Sequence, residues 1–173
     1  MNKLTLELII WTFILILAQA LVFNHVNVLG VAVPFVFIYT LIKLPLAISK
    51  EWGFTIGFII GIVVDIFSNT LGMNALACTL LMALRQPIIR LYIPRDNDLS
   101  NPMPGIQSLG LITFTKFVLT VSLLYTTLIF FIESFSTLGL VNVIIRISSS
   151  TIITTSIIVG IDSLTSRKRE KRL

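Results

Sequence analysis

The stretch GFTIGFIIGIVVDIFS, residues 53–68, contains a single charged side chain, Asp65. Glycine recurs every four residues at positions 53, 57 and 61, and the aspartate takes the next place. Four-residue steps keep these positions on one face of a helix. Small residues in such a row let a neighbouring membrane helix approach closely. The stretch therefore predicts a transmembrane helix with one glycine face.

The composition of the whole chain is typical of a membrane protein. Of its 173 residues, 55% are hydrophobic and 12% are charged, and the mean hydropathy is +0.98. A soluble domain carries about 25% charged residues, so the composition excludes a soluble globular fold. The net charge of +5 does not indicate a nucleic-acid-binding protein, because the apolar runs are too long for that class.

Apolar stretches long enough to cross a membrane recur along the chain, since a crossing helix needs roughly 20 such residues. The six predicted spans cover residues 6–23, 31–48, 53–68, 73–92, 110–132 and 138–163. A proline-containing loop, 93–109, separates spans four and five, and a basic tail, 164–173, follows the last span. The sequence lacks the alternation of a β-barrel. It therefore predicts an all-α polytopic membrane protein with six transmembrane helices in one domain.

The basic residues indicate how these spans are oriented. Twelve of the 13 Lys and Arg residues fall on one side of the predicted membrane, and the opposite turns contain none. By the positive-inside rule, both termini are expected in the cytoplasm. The tail should also attract anionic lipid. Its basic residues are Arg167, Lys168, Arg169, Lys171 and Arg172.

Three charges lie in the outer half of the predicted spans: Asp65, Glu133 and Arg146. Ionisable residues inside a membrane are costly and are functional-site hypotheses by default. Arg146 is the basic residue that breaks the inside rule, so we expect it to pair with Asp65 or Glu133 across helices. For Asp65 the alternative is solvation at the membrane surface, since it lies about one helical turn from the end of its span.

Charged residues near the inner ends of the spans have a simpler interpretation. Lys43 and Arg85 lie about two turns from the cytoplasmic surface, where long side chains can reach the headgroups. We interpret both as anchors rather than as a substrate site. Glu7 and Asp162 lie close to the same surface and are expected to pair with basic cytoplasmic residues.

Hydroxyl side chains are frequent in spans five and six. They either pack helices and bond across them, which is the preferred interpretation, or line a small-molecule cavity. These residues are Thr113, Thr115, Thr120, Ser122, Thr126, Thr127, Ser148, Ser149, Ser150, Thr151, Thr154, Thr155 and Ser156.

The sequence contains no motif of an enzyme, metal or nucleotide site. GxGxxG, HExxH, CxxC and P-loop patterns are absent. His25 is a lone histidine in an outer turn, Cys78 is an apolar position within span four, and Asp96 with Asp98 is interpreted as a solvated turn. We therefore predict neither catalysis nor a cofactor nor a metal.

The glycine helix and the turn after it resemble the signature of the rod shape-determining protein MreD family. The resemblance rests on Gly57, Gly61 and Asp65, then on Gly72 and Ala75 at the start of the next helix. It covers about 20 residues well, from Gly57 to Leu76, and the remainder only by size and layout.

This resemblance implies a non-enzymatic protein of the bacterial inner membrane that helps to maintain cell shape. Its partner would be an MreC-like protein with one span, and together they would connect MreB-like filaments to the peptidoglycan polymerase and transpeptidase of cell-wall elongation. The implied fold is similar to the six-helix substrate-binding subunits of energy-coupling-factor transporters. On this hypothesis the glycine face would receive the partner's helix, while Asp65 and its turn set the register.

Two alternatives stay open from the residues alone. The glycine face could instead pack against another helix of the same chain. The whole protein could instead be a transporter subunit that binds a vitamin-like small molecule among the hydroxyls of spans five and six.

Overall fold

The computed structural model of the chain is all-helical and describes residues 3–23, 32–46, 48–70, 72–92, 103–134 and 140–170. Its helices are α1 (Lys3–Ala18), which continues as a π-helical turn over Gln19–Phe23, α2 (Ile38–Ile42), α3 (Lys50–Ser68), α4 (Met73–Tyr92), α5 (Ile106–Leu109), α6 (Leu111–Ser134) and α7 (Leu140–Glu170). The predicted all-α class is confirmed. Outside the description lie His25, Arg95, Asp96, Asp98, Lys171 and Arg172, together with the side chains of Glu7, Arg167, Lys168 and Arg169.

Four of the described helices are long and apolar enough to cross a membrane. Their apolar parts are Lys50–Ser68, Met73–Tyr92, Leu111–Glu133 and Val141–Thr165. They lie close to the predicted spans three to six, but α7 continues to Glu170, so the first part of the predicted tail is helical. Among the residues whose side chains are described, a further apolar helical stretch, Ile10–Val22, covers the second half of α1 and most of its π-helical turn.

The ends of α3 are fixed by local chemistry. Ser49 precedes the helix, and its hydroxyl accepts a hydrogen bond from the Trp52 backbone at 3.5 Å, as N-cap residues do. Asn69 ends the helix in the left-handed conformation, with φ 53°, and donates its backbone N–H to the Asp65 carbonyl. These two caps separate α3 from its neighbours and set where the turn to α4 begins.

The second predicted span, 31–48, is wrong as a continuous helix. In residues 32–46 only the five residues of α2 are α-helical, and the chain before α2 forms no regular helix. Pro34 explains part of the difference, because proline lacks an N–H and disfavours helical backbone at the residue before it. We call residues 32–46 the broken segment.

The broken segment is buried inside the bundle, and side chains satisfy its backbone. Val33 N–H donates to Ser150 Oγ and Phe35 N–H to Thr154 Oγ1, each at 3.0 Å. The Gln19 amide binds two further backbone groups of the segment: its Oε1 accepts from Val36 N–H at 2.9 Å, and its Nε2 donates to the Pro34 carbonyl at 3.0 Å. Non-helical backbone at membrane depth requires such internal partners.

The core forms where the broken segment meets α6. Tyr125 is fully buried and packs edge-on against Phe35 and Phe37, with ring centroids 5.2 and 5.6 Å apart. Around this centre α3 packs on α4, α6 packs on α7, and α4 joins the two pairs through α6. The broken segment therefore lies within a bundle of four long helices.

Candidate functional site

The glycine face of α3 packs against α4 of the same chain. A Cβ atom added at Gly57 would lie 2.7 Å from Met82 Cγ and 3.1 Å from the Cys78 carbonyl oxygen. One added at Gly61 would lie 2.7 Å from Ala75 N and would also meet Ala75 Cα. The groove expected to receive a partner's helix is therefore filled by α4, and packing within the bundle accounts for the glycines.

Asp65 caps the next helix. Helix α4 begins at Met73, and the N–H groups of its first turn have no partner within the helix. Gly72, which precedes it, has no side chain that could cap them. The Asp65 carboxylate replaces it from α3: Oδ1 accepts from Asn74 N–H at 3.0 Å and Oδ2 from Ala75 N–H at 2.8 Å. Negative charge at a helix N-terminus is stabilised by the helix dipole.

Side chains complete the coordination of this buried carboxylate, which is 5% exposed. The Asn74 amide donates to Oδ1 at 2.9 Å, and the Thr70 hydroxyl donates to the same oxygen. With these donors the charge needs no cation, so the predicted pairing with Arg146 is not formed. The residues Gly57, Gly61, Asp65, Gly72 and Ala75 lie along the contact of α3 with α4 and the turn between them, and we call them the α3–α4 lock.

Tyr125 extends the α3–α4 lock into the core, a connection that the sequence analysis missed. Its hydroxyl donates to Asn74 Oδ1, while its ring packs on Phe35 and Phe37. A polar residue at the second position of an apolar helix was the available signal for Asn74. No local pattern identifies Tyr125, because it lies 51 residues away in sequence.

Arg146 is paired with Glu133 instead. The distance from Arg146 Nη1 to Glu133 Oε1 is 3.5 Å, and the two side chains are 31% and 44% exposed. This is one of the two partners expected from the sequence. The distance is long and both side chains are partly exposed, so we interpret the pair as a loose contact between α6 and α7.

A second polar cluster lies at the far end of α7, around Asp162. Its carboxylate is 1% exposed and lies 2.5 Å from Lys43 Nζ. It also accepts from the Tyr39 hydroxyl and from the Ile106 backbone N–H, each at 2.8 Å. Lys43 lies over the rings of Tyr39 and Phe114, at 5.6 and 5.7 Å from their centroids. The cluster thus joins α2, α5, α6 and α7.

The interpretation of Lys43 and Arg85 as headgroup anchors is wrong. Lys43 is directed to Asp162, and its side chain is only 18% exposed. Arg85 is 5% exposed and donates to the carbonyls of Leu44 and, at 3.4 Å, Pro45. Arg85 binds carbonyls at the end of the broken segment that a regular helix would satisfy internally. Lys43, which belongs to that segment, ties the same end to α7 through Asp162.

Some hydroxyls of α6 and α7 hold the bundle together, whereas those of Ser122 and Thr155 are buried with no hydrogen-bond partner among the described residues. Ser150 and Thr154 accept from the broken segment, and Thr126 and Thr151 bind each other across the two helices at 2.8 Å. Others, such as Ser149 and Ser156, donate to a carbonyl of their own helix. This is the packing role preferred in the sequence analysis.

No group of His, Cys, Asp or Glu side chains suited to a metal ion occurs among the described residues. Comparison with protein-family models, curated proteins and solved structures gives no match for this chain. The description of the two polar clusters therefore rests on their geometry alone.

We expect the Asp162 cluster to contribute strongly to stability. Replacing Asp162 by Asn leaves Lys43 buried without a counter-charge, and breaking a buried pair costs about 3–5 kcal/mol. The double variant Lys43→Met, Asp162→Asn should lose less than the sum of the single variants, by about 1 kcal/mol or more. Denaturant unfolding in detergent micelles measures these differences. Lys50→Met, at an exposed position, is the control, and strictly additive losses would contradict the pairing.

Proposed function

We propose that the protein is a non-enzymatic scaffold of the cell-wall elongation machinery in the bacterial inner membrane, similar to MreD. It would bind the single span of an MreC-like protein and, through it, connect MreB-like filaments to the polymerase and transpeptidase of the side wall. The observation that carries the proposal is the α3–α4 lock. In it, Gly61 admits the backbone of Ala75, Gly57 lies against Met82 and Cys78, and Asp65 caps the helix that follows Gly72.

The path of the broken segment supports a chain that crosses six times with both termini in the cytoplasm. The segment contacts α7 at Ser150, then Thr154 and finally Asp162. These twelve residues of helix correspond to about 18 Å along its axis. The broken segment thus runs beside a membrane-spanning helix for more than half of the ~30 Å hydrocarbon thickness. It would serve as the second crossing although it is not one helix.

The alternative of a vitamin-binding transporter subunit has less support. It predicts that the hydroxyls of α6 and α7 are available to a ligand. Instead Ser150 and Thr154 accept bonds from the broken segment, and Thr126 and Thr151 bind each other. Ligand binding at these four hydroxyls would have to break contacts that the fold uses.

The partner's helix needs a face other than the glycine face of α3. On the outside of α7, Gly160 has no neighbouring atom within 4 Å of an added Cβ. Ser156 is exposed four residues earlier, and its hydroxyl already donates to the Ile152 carbonyl. Two small residues in this spacing let a membrane helix approach closely. We assign the contact with the MreC-like span to this face.

Co-purification with the MreC-like protein of the same bacterium tests the function. We expect the wild-type protein to retain that partner and Gly160→Phe to lose at least ten-fold of it, with wider cells as the consequence. Leu119→Phe, which adds bulk at an exposed position on α6, should retain both complex and cell width. If the wild-type protein retains no partner, or if vitamins raise its unfolding temperature in a thermal-shift screen, the scaffold proposal fails. Equal retention by Gly160→Phe would refute the assigned face.

A further inference from the structure

A charged pair faces outward from α6 and α7. Arg146 Nη1 lies 3.5 Å from Glu133 Oε1, and the two side chains are 31% and 44% exposed. Both residues belong to helical stretches that are apolar enough to cross a membrane, Leu111–Glu133 and Val141–Thr165. The outward-facing side chains of such helices meet lipid, where a charge without polar neighbours is costly. The exposed parts of this pair therefore require polar groups of the membrane surface.

The two charges lie at different depths below the same end of the bundle. Glu133 is the last residue but one of α6, whereas Arg146 comes six residues after the start of α7, about 9 Å along its axis. The contact between Thr126 and Thr151 sets the register of these antiparallel helices and places Phe131 level with Arg146. Glu133 therefore lies nearer to the membrane surface, and Arg146 lies nearer to the membrane centre.

Exposed apolar side chains lie beside the pair. Phe131 on α6 is 63% exposed, and Ile145 and Ile152 on α7 are 50% and 62% exposed. The two isoleucines are seven residues apart, so they share one face of α7, and Ile152 lies deeper than Arg146. In order of depth, the surface thus presents a negative group, a positive group and an apolar strip.

This order is complementary to a phospholipid whose headgroup ends in an amine. In such a lipid the ammonium group lies outermost, the phosphate follows, and the acyl chains lie deepest. A guanidinium forms paired hydrogen bonds with phosphate, and a carboxylate accepts from an ammonium N–H. An anionic headgroup would bring a second negative charge to Glu133, and a choline headgroup has no N–H to donate. We propose that Arg146 and Glu133 bind the phosphate and the ammonium group of a phospholipid with an ethanolamine headgroup.

Native mass spectrometry of the purified full-length protein in an uncharged detergent tests the site by counting bound lipids. Phosphatidylethanolamine, phosphatidylcholine and phosphatidylglycerol with the same acyl chains would be titrated separately. We expect the first ethanolamine lipid to bind about ten-fold more tightly than either of the others, because it alone satisfies both charges. Glycerophosphoethanolamine, which has the headgroup without the chains, should not bind at the same concentrations.

Three variants assign the binding to the pair. Arg146→Gln should weaken binding of the ethanolamine lipid about ten-fold, since the phosphate loses its charged donor. Glu133→Gln should bind phosphatidylethanolamine and phosphatidylglycerol equally, because the carboxylate that selects the ammonium group is gone. Arg90→Gln, at an exposed position on α4, should behave as the wild type.

The wild-type protein alone can overturn the proposal, so the test does not depend on the folding of a variant. Equal affinity for the three lipids would overturn it. Unchanged lipid affinity in Arg146→Gln, or a preference for ethanolamine that persists in Glu133→Gln, would overturn it as well. Tight binding of glycerophosphoethanolamine would point to a soluble ligand instead. A protein dimer that is lost in Arg146→Gln would show that the surface joins two copies of the chain and does not bind lipid.

Discussion

Gly61→Ala should destabilise the protein by about 3 kcal/mol or more, the upper end of what overpacking a tight contact costs. The added methyl group would meet the backbone of Ala75, at 2.7 Å from its nitrogen. Backbone atoms cannot swing aside as a side chain does, so α3 and α4 would have to separate along the α3–α4 lock. Separation would also pull Asp65 away from the N–H groups that it caps.

The other glycines provide a graded series of controls. At Gly57 the nearest atom belongs to the flexible Met82 side chain, and at Gly53 the methyl group would lie 3.1 Å from its Cε. At Gly160 the space is open, and alanine is a better helix former than glycine by up to about 1 kcal/mol. We expect the loss of stability to decrease from position 61 to 57 to 53, with no loss at 160. An equal loss at 61 and 160 would contradict the close packing of α3 on α4.

Asp65→Asn should cost about 2 kcal/mol of unfolding free energy, and Asp65→Ala should cost more. Asparagine retains one acceptor oxygen but presents an amide donor to the N–H groups of Asn74 or Ala75, and it removes the charge that the helix dipole favours. Loss of a helix cap alone costs about 0.5–2 kcal/mol. Alanine leaves all of these buried donors without an acceptor.

Denaturant unfolding in micelles, combined with a measurement of cell width, separates a structural from a binding role for Asp65. Glu133→Gln is the matched control, because it removes a carboxylate that is exposed and only weakly paired; its effect should stay within about 0.5 kcal/mol. A variant Asp65→Asn that is as stable as the wild type yet fails to maintain cell width would contradict the cap. In that case the carboxylate would act on a partner.

The sequence was most informative where local chemistry controls the structure. Helices α3 and α4 begin and end close to the predicted positions because Ser49, Asn69 and Gly72 act on their immediate neighbours. The glycine spacing correctly identified a face for close helix contact. Spacing alone could not decide which helix occupies that face, since α4 and a partner's helix would satisfy the same steric rule.

The errors concern contacts between distant parts of the chain. Hydropathy treats residues 31–48 as one apolar run and cannot distinguish a helix from irregular backbone whose hydrogen bonds go to remote hydroxyls. Lys43 was assigned to the headgroups because its partner Asp162 lies 119 residues later. Asp65 was considered as one of two partners for Arg146 or as a group solvated at the membrane surface; its cap role was missed because two of its four donors are backbone N–H groups, which carry no sequence signal of their own.

The partners of the broken segment have a consequence for biosynthesis. Val33, Phe35 and Tyr39 bond to residues that lie 117, 119 and 123 positions later in the chain. A ribosome releases these acceptors only after the other described helices, so the broken segment cannot reach its final form while those helices are being synthesised. Until α7 has been synthesised, the backbone of the broken segment must be hydrated or transiently helical. Removal of α7 should therefore prevent the broken segment from folding, although all residues of the segment itself are present.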